Sequence, residues 1–214
     1  MVVRTSGYDK FLIDIRNMTA ELSELSLQNI LKAVETLKVS SNEDWEAMDD
    51  DIDKARDRIV NYCYDIMCLQ QLRRQDLCWI LGYQRIAREL ERIADYACDI
   101  AEFSELKPVS GWPIVIFNMS NQLIYMIRHN VAILKGEIKI SCDLCSKDNF
   151  LDQAYSHLKR QLLEASLRNE PRHDLGVALL VARTLERMGD HAVNVAEELL
   201  FVQTGQKRLF QSLE

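Results

Sequence analysis

The sequence predicts an all-α protein: six long helices forming two tandem repeated three-helix bundles. Three observations carry this. The three prolines, Pro108, Pro113 and Pro171, fall where helices should start or stop, and an interior proline costs a helix about 3 kcal/mol. Apolar residues recur at three- and four-residue spacing, as in Leu22, Leu25, Leu27, Ile30, Leu31, Val34 and Leu37, the period of a helix with one buried face. One segment is also written twice. Leu90-Glu-Arg-Ile-Ala-Asp-Tyr-Ala-Cys-Asp-Ile-Ala-Glu102 returns 95 residues later as Leu185-Glu-Arg-Met-Gly-Asp-His-Ala-Val-Asn-Val-Ala-Glu197, and self-similarity at a fixed period marks an internal repeat.

Breakers and capping residues set the helices in order. The first is expected over 8–38, ending before Ser-Ser-Asn-Glu-Asp44. The second, 42–70, takes Ser41 or Asn42 as N-cap. The third, 76–106, opens on Asp76. The stretch Lys107-Pro-Val-Ser-Gly-Trp-Pro113 then separates the halves, placing one repeat at 1–107 and the other at 112–214. The fourth helix, 114–135, stops at Gly136. The fifth covers 142–168, with Pro171 in the next turn, and the sixth covers 174–204 and closes at Gly205.

Composition narrows the function. Seven glycines in 214 residues are too few for an all-β chain, which needs turn residues every 8–12 positions. A net charge of −7 disfavours nucleic acid, whose phosphates require clustered Lys and Arg. No stretch approaches 18 uncharged apolar residues and the N-terminus has charges inside its apolar run, so no membrane insertion and a cytoplasmic protein are expected. The six cysteines are read as small buried apolar residues of a reducing compartment. The pair Cys142 and Cys145 lacks the second CxxC or paired His of a zinc site. Four histidines show no HxxxH or HExxH spacing, and no P-loop, GxSxG or GxGxxG occurs. A binding protein is expected, not an enzyme.

The repeated segment carries the candidate chemistry. Glu91, Asp95 and Asp99 are spaced four apart, and Glu186, Asp190 and Asn194 repeat them. On a helix each set makes a row of oxygens that drifts slowly round the axis. The preceding helices add paired acids, Asp49 and Asp53, then Asp148 and Asp152. Like charges at i,i+4 repel, so a row calls for a cation, an arginine or open solvent. Small neighbours, Ala94 and Ala97 or Gly189 and Ala192, leave room for a facing helix to complete a ligand set. Oxygen-only donors suit Mg, Mn or Fe better than zinc. A solvated acidic face is the alternative; recurrence with the same neighbours favours metal, although duplication copies a solvated face too.

The doubled Glu-Arg-x-x-Asp, Glu91 to Asp95 and Glu186 to Asp190, with Asn194-Val-Ala-Glu197-Glu198, Thr204-Gly205 and Asp76-Leu77, resembles the PhoU family of phosphate-signalling regulators. The likeness covers nearly the whole chain in order. It implies the six-helix, two-bundle fold, metal clusters at Glu91, Asp95, Asp99, Glu186, Asp190 and Asn194, and a homodimer. It also implies a negative regulator of phosphate uptake and starvation signalling, acting between a phosphate ABC transporter ATPase and a sensor histidine kinase. Two alternatives stay open: an accessory protein of a low-affinity phosphate permease, which shares the fold, and a metal-free structural adaptor. The chain departs from the pattern at Ala94 against Gly189, at Asp99 against Asn194, and at Leu72, where relatives often have Pro.

Overall fold

The computed structural model describes residues 8–40, 42–69, 71–139, 143–168 and 173–205. They form six helices and no strand: α1 Tyr8–Thr36, α2 Trp45–Leu69, α3 Arg74–Ser104, α4 Ile114–Lys135, α5 Asp143–Leu167 and α6 His173–Thr204.

Two N-termini differ from the expected ones. Helix α2 begins at Trp45 and is capped by Asp44, whose Oδ1 accepts the Ala47 N–H at 3.0 Å. The carboxylate satisfies an orphan donor and meets the positive end of the helix dipole. Asn42 stays outside the helix, and Ser41 lies outside the described residues. Helix α3 starts two residues before Asp76, which acts from inside the first turn: its Oδ2 accepts the Arg73 N–H at 3.0 Å. The C-terminal stops are glycines, as read from the sequence. Gly136 has φ 78°, and the N–H groups of Gly136 and Glu137 close onto Ile133 and Ala132 carbonyls at 2.9 Å. Gly205, at φ 67°, donates to the Phe201 carbonyl at 2.8 Å. Pro171 and Cys142 lie outside the described residues.

Within each repeat the three helices pack on one another, and the repeats join through α1 against α4 and, most extensively, α3 against α6. One apolar core runs through both. Ile59, Ile86 and Ile93 of the first repeat and Leu123, Leu151 and Met188 of the second are fully buried in the same cluster. Burial of each such side chain contributes about 1.5–3 kcal/mol. Cys63 is buried, whereas Cys68 is exposed and Cys78 and Cys98 are intermediate. The reading of all six as core residues is thus too broad.

Helices α3 and α6 run antiparallel in a fixed register. Arg85 pairs with Glu198 at 3.1 Å, Asn194 donates to Glu89 at 3.0 Å, and Arg187 donates to the Tyr96 hydroxyl at 3.2 Å. This register sets Ala94 level with Gly189, its own counterpart in the repeat, so the two acidic rows lie at the same height along the pair. Close approach at one end depends on Gly82, where a methyl group would collide with Val202. The connection between repeats is tied down by Asp174 near the start of α6. Its carboxylate accepts the N–H groups of Val109 and Ser110, each at 3.1 Å, and the Ser110 hydroxyl at 2.5 Å. Gly111, at φ 79°, closes the turn onto the Pro108 carbonyl at 2.9 Å.

Candidate metal centre

In the first repeat Glu91 and Asp95 of α3 face Asp49 and Asp53 of α2. Burial and the charges of Glu91 and Asp49 push the Asp95 carboxyl up to about 6, with Asp53 adding and Arg92 opposing. Asp49 is raised by burial, then by Asp53 and Asp50. Two arginines answer these charges. Arg56 Nη1 stands 2.6 Å from Glu91 Oε1 and 3.1 Å from Asp53 Oδ1, while its Nε and Nη2 donate to Asp57. Arg92 Nη1 lies 3.3 Å from Asp95 Oδ2.

The second repeat uses the same acidic positions with a different cation. Glu186 and Asp190 of α6 face Asp148 and Asp152 of α5. Asp148 is pushed up to about 7 by burial, then by Asp152, Asp190 and Glu186. Asp190 is raised by burial and then by Asp152. Glu186 is raised by burial in spite of Arg183, whose Nη1 stands 2.6 and 2.7 Å from its two oxygens. Among the described residues, no Lys, Arg or His nitrogen comes within 4.0 Å of a carboxylate of Asp148, Asp152 or Asp190. Asp148 Oδ1 is buried without a hydrogen-bond partner, an arrangement that normally needs water or an ion to offset it. Gly189 makes this approach possible: a Cβ there would collide with Leu151 and stand 3.0 Å from Asp148 Oδ1. In the first repeat the buried Ala94 fills that space.

The third member of each row goes elsewhere. A step of four residues turns about 40° round an α-helix, so two steps turn the third member about 80° from the first. Asn194 consequently meets Glu89 of α3 across the seam at 3.0 Å. His191 joins it, with Nδ1 2.7 Å from the same Glu89 oxygen and its ring centroid 5.6 Å from that of Tyr96. Burial raises the Glu89 carboxyl, but the bonds from His191 and Asn194 outweigh it and hold the group below its ordinary value. Asp99 lines a groove of about 730 Å³ at the end of the first repeat, with Trp45, Cys98 and Glu102. It is raised by burial and then by Glu102. Burial also pushes the thiols of Cys63 and Cys98 up, to about 12 and about 11, which keeps them protonated and unreactive at neutral pH.

Among the described residues, no three His, Cys, Asp or Glu side chains form a ready-made metal cage. The second repeat nonetheless fits a hard cation in three respects: it has four facing carboxylates, an unpartnered buried oxygen, and a glycine that admits it. Its carboxylates would have to turn inward around the ion. Sequence reasoning missed Arg56, Arg183 and Glu89. Arg56 and Arg183 were signalled by their three-residue spacing from Asp53 and Glu186; nothing in the sequence marked Glu89.

A family model described as the PhoU domain matches the chain twice, at residues 17–104 and 116–199. The chain belongs to the PhoU family. One match falls in each repeat, and the doubled Glu-Arg-x-x-Asp segments stand in α3 and α6. Among PhoU relatives, a "phosphate-specific transport system accessory protein PhoU homolog 1" from Thermotoga maritima is 27% identical over 90% of this chain and 85% of its own. A PhoU homolog from Zymomonas mobilis is 28% identical over 94% of this chain and 88% of its own. Among solved structures, PhoU from Pseudomonas aeruginosa superposes with a TM-score of 0.81 at 22% identity, covering 93% of this chain and all of the other. PhoU from Streptococcus pneumoniae gives 0.80 at 21% identity, covering 94% and 98%. These likenesses show that the fold is the PhoU fold.

Proposed function

We propose that this PhoU-family chain is an accessory regulator of phosphate transport that represses uptake and phosphate-starvation signalling when phosphate is plentiful. The observation carrying this reading is the match of the family model to both repeats, together with relatives described as phosphate-specific transport system accessory proteins. The chain acts by binding, as a cytoplasmic adaptor between the ATPase of a phosphate transporter and a sensor histidine kinase, and works as a homodimer. No helix among the described residues is long and apolar enough to cross a membrane, which is compatible with docking on membrane complexes from one side.

A cation of the Mg, Mn or Fe type belongs to the acidic centres, with Asp148, Asp152, Glu186 and Asp190 as its ligands in the second repeat. The bound ion would supply positive charge to four clustered carboxylates and fix α5 against α6. Deletion of the gene tests the regulatory reading through a phosphate-starvation reporter in high phosphate. Derepression is expected in the deletion strain, with repression restored by the wild-type gene. An unchanged reporter would sink the reading.

A further inference from the structure

We infer that Arg56 is the resident cation of the first repeat, occupying the position between α2 and α3 that a metal ion takes between α5 and α6, so that metal is carried by the second repeat alone. This rests on the metal-binding reading above and narrows it to one of two formally equivalent sites.

The argument begins with the repeat. Asp49, Asp53 and Arg56 of α2 align with Asp148, Asp152 and Tyr155 of α5 at a constant offset of 99 residues. At one position, therefore, the first repeat has a guanidinium and the second an aromatic ring. The Arg56 side chain is 22% exposed and Glu91 only 14%, so the pair is largely withdrawn from water. A single nitrogen, Nη1, spans the gap between the helices, reaching Glu91 on α3 and Asp53 on α2. A bridging metal would need those same two carboxylates, and binding it would take both partners of Nη1 away and leave the largely buried guanidinium only its contact with Asp57, which is unfavourable.

The second repeat keeps its cation to one side. Arg183 belongs to α6 itself and grips Glu186 one turn away. Its guanidinium carbon lies 5.2 Å from the centroid of the Tyr155 ring, so the residue replacing Arg56 helps to hold Arg183 on its own helix. Asp148, Asp152 and Asp190 are left without a cation within 4.0 Å among the described residues. The glycine contrast acts in the same direction: Gly189 admits Asp148 Oδ1 to the α6 backbone, whereas Ala94 presents a methyl group at the matching place.

The test is a titration of chelator-stripped protein with Mn²⁺, reading free Mn²⁺ by electron paramagnetic resonance and bound metal by mass spectrometry. Circular dichroism confirms the fold of every variant. Wild type should bind a single equivalent that Asp190→Asn abolishes and Asp95→Asn leaves in place. Arg56→Gln should gain a second equivalent that is lost again on adding Asp95→Asn. Tyr155→Arg, which gives the second repeat the arginine of the first, should weaken Mn²⁺ binding roughly tenfold or more, the scale on which groups around a metal act. Two equivalents in wild type, or a single one lost with Asp95→Asn and kept with Asp190→Asn, would overturn the inference. A single second-repeat equivalent that Arg56→Gln leaves unaccompanied would overturn the role of Arg56 while keeping the metal reading. Wild type binding no Mn²⁺ would refute the metal reading, and the inference with it. Should Arg56→Gln fail to fold, Tyr155→Arg decides: unchanged Mn²⁺ affinity overturns the inference.

Discussion

Replacing Asp148 by Asn should stabilise the metal-free protein at alkaline pH, although it removes a proposed ligand. Asp148 is pushed from its ordinary 3.8 to about 7 by burial and three neighbouring carboxylates. A carboxyl whose folded pKa is raised keeps a proton in the native state that the unfolded chain has already lost. Stability therefore falls as pH rises from the unfolded value, and the loss is complete above the folded one. The whole interval corresponds to about 4 kcal/mol at 1.36 kcal/mol per pKa unit. Asp148 is half-buried, and solvent screening with side-chain rotation reduces this to about 1–2 kcal/mol. Asn carries no charge to desolvate or repel, and its amide can donate to Asp152 or Asp190. In EDTA at pH 8 the variant should melt about 3–6 °C above wild type, given about 2–4 °C per kcal/mol for a chain of this size. The gain should shrink steadily as pH falls below 7 and be lost only below the ordinary value of 3.8, where the wild-type carboxyl is protonated in both states. Added Mn²⁺ should reverse the order by raising only the wild-type melting temperature. A variant no more stable than wild type at pH 8 in EDTA would refute the view that the second acidic centre is strained when empty.

Further outcomes follow from single contacts. Gly189→Ala should weaken Mn²⁺ binding and lower the melting temperature, because overpacking against Leu151 and Asp148 costs about 1–3 kcal/mol against about 1 kcal/mol gained in helix propensity; isothermal titration and thermal melts check both. Asn130 is buried and donates to the Ala192 carbonyl at 2.7 Å, so Asn130→Ala should cost about 1–3 kcal/mol in urea unfolding. Glu89→Gln should loosen the seam between α3 and α6, with the difference from wild type largest above the ordinary glutamate pKa and vanishing as acid protonates Glu89; melts from pH 7 down to about 3 follow it. Asp174→Ala frees Val109 and Ser110 from their shared carboxylate, so limited proteolysis should cut faster within 107–113 than in wild type, and an unchanged cleavage rate would count against the tie.

Much of the fold was legible because helix periodicity, proline placement and glycine stops are local signals. Gly136 and Gly205 end their helices where the sequence placed them. Capping was harder: Ser41, Asn42, Glu43 and Asp44 offer several polar candidates in a row, and only the direction of the chain selects Asp44. The acidic centres were legible to their first two members. Spacing alone kept Asp99 and Asn194 in the row, yet the helix turns them toward a groove and toward Glu89. The facing acids Asp49, Asp53, Asp148 and Asp152 were found through the repeat. Comparing the repeats for likeness hid their informative difference, Arg56 against Tyr155, because a mismatch weakens an alignment even when it separates two sites.

The antiparallel seam has a consequence for how the chain is made. Arg85 and Glu198, which meet across it, are 113 residues apart in sequence, and α1 likewise finds α4 across the connection. A ribosome adding about 5–20 residues per second needs on the order of 5–25 s to cover that distance. During that interval the first repeat has left the ribosome with the inner faces of α1 and α3 bare. A fragment ending at Lys107 should accordingly self-associate in sedimentation experiments. The same uncovered face can accept the second repeat of a neighbouring nascent chain, giving an exchanged dimer with every seam contact made between molecules. Tethering by the short turn under Asp174 raises the local concentration of the correct second repeat, so the connection between halves favours self-completion over exchange.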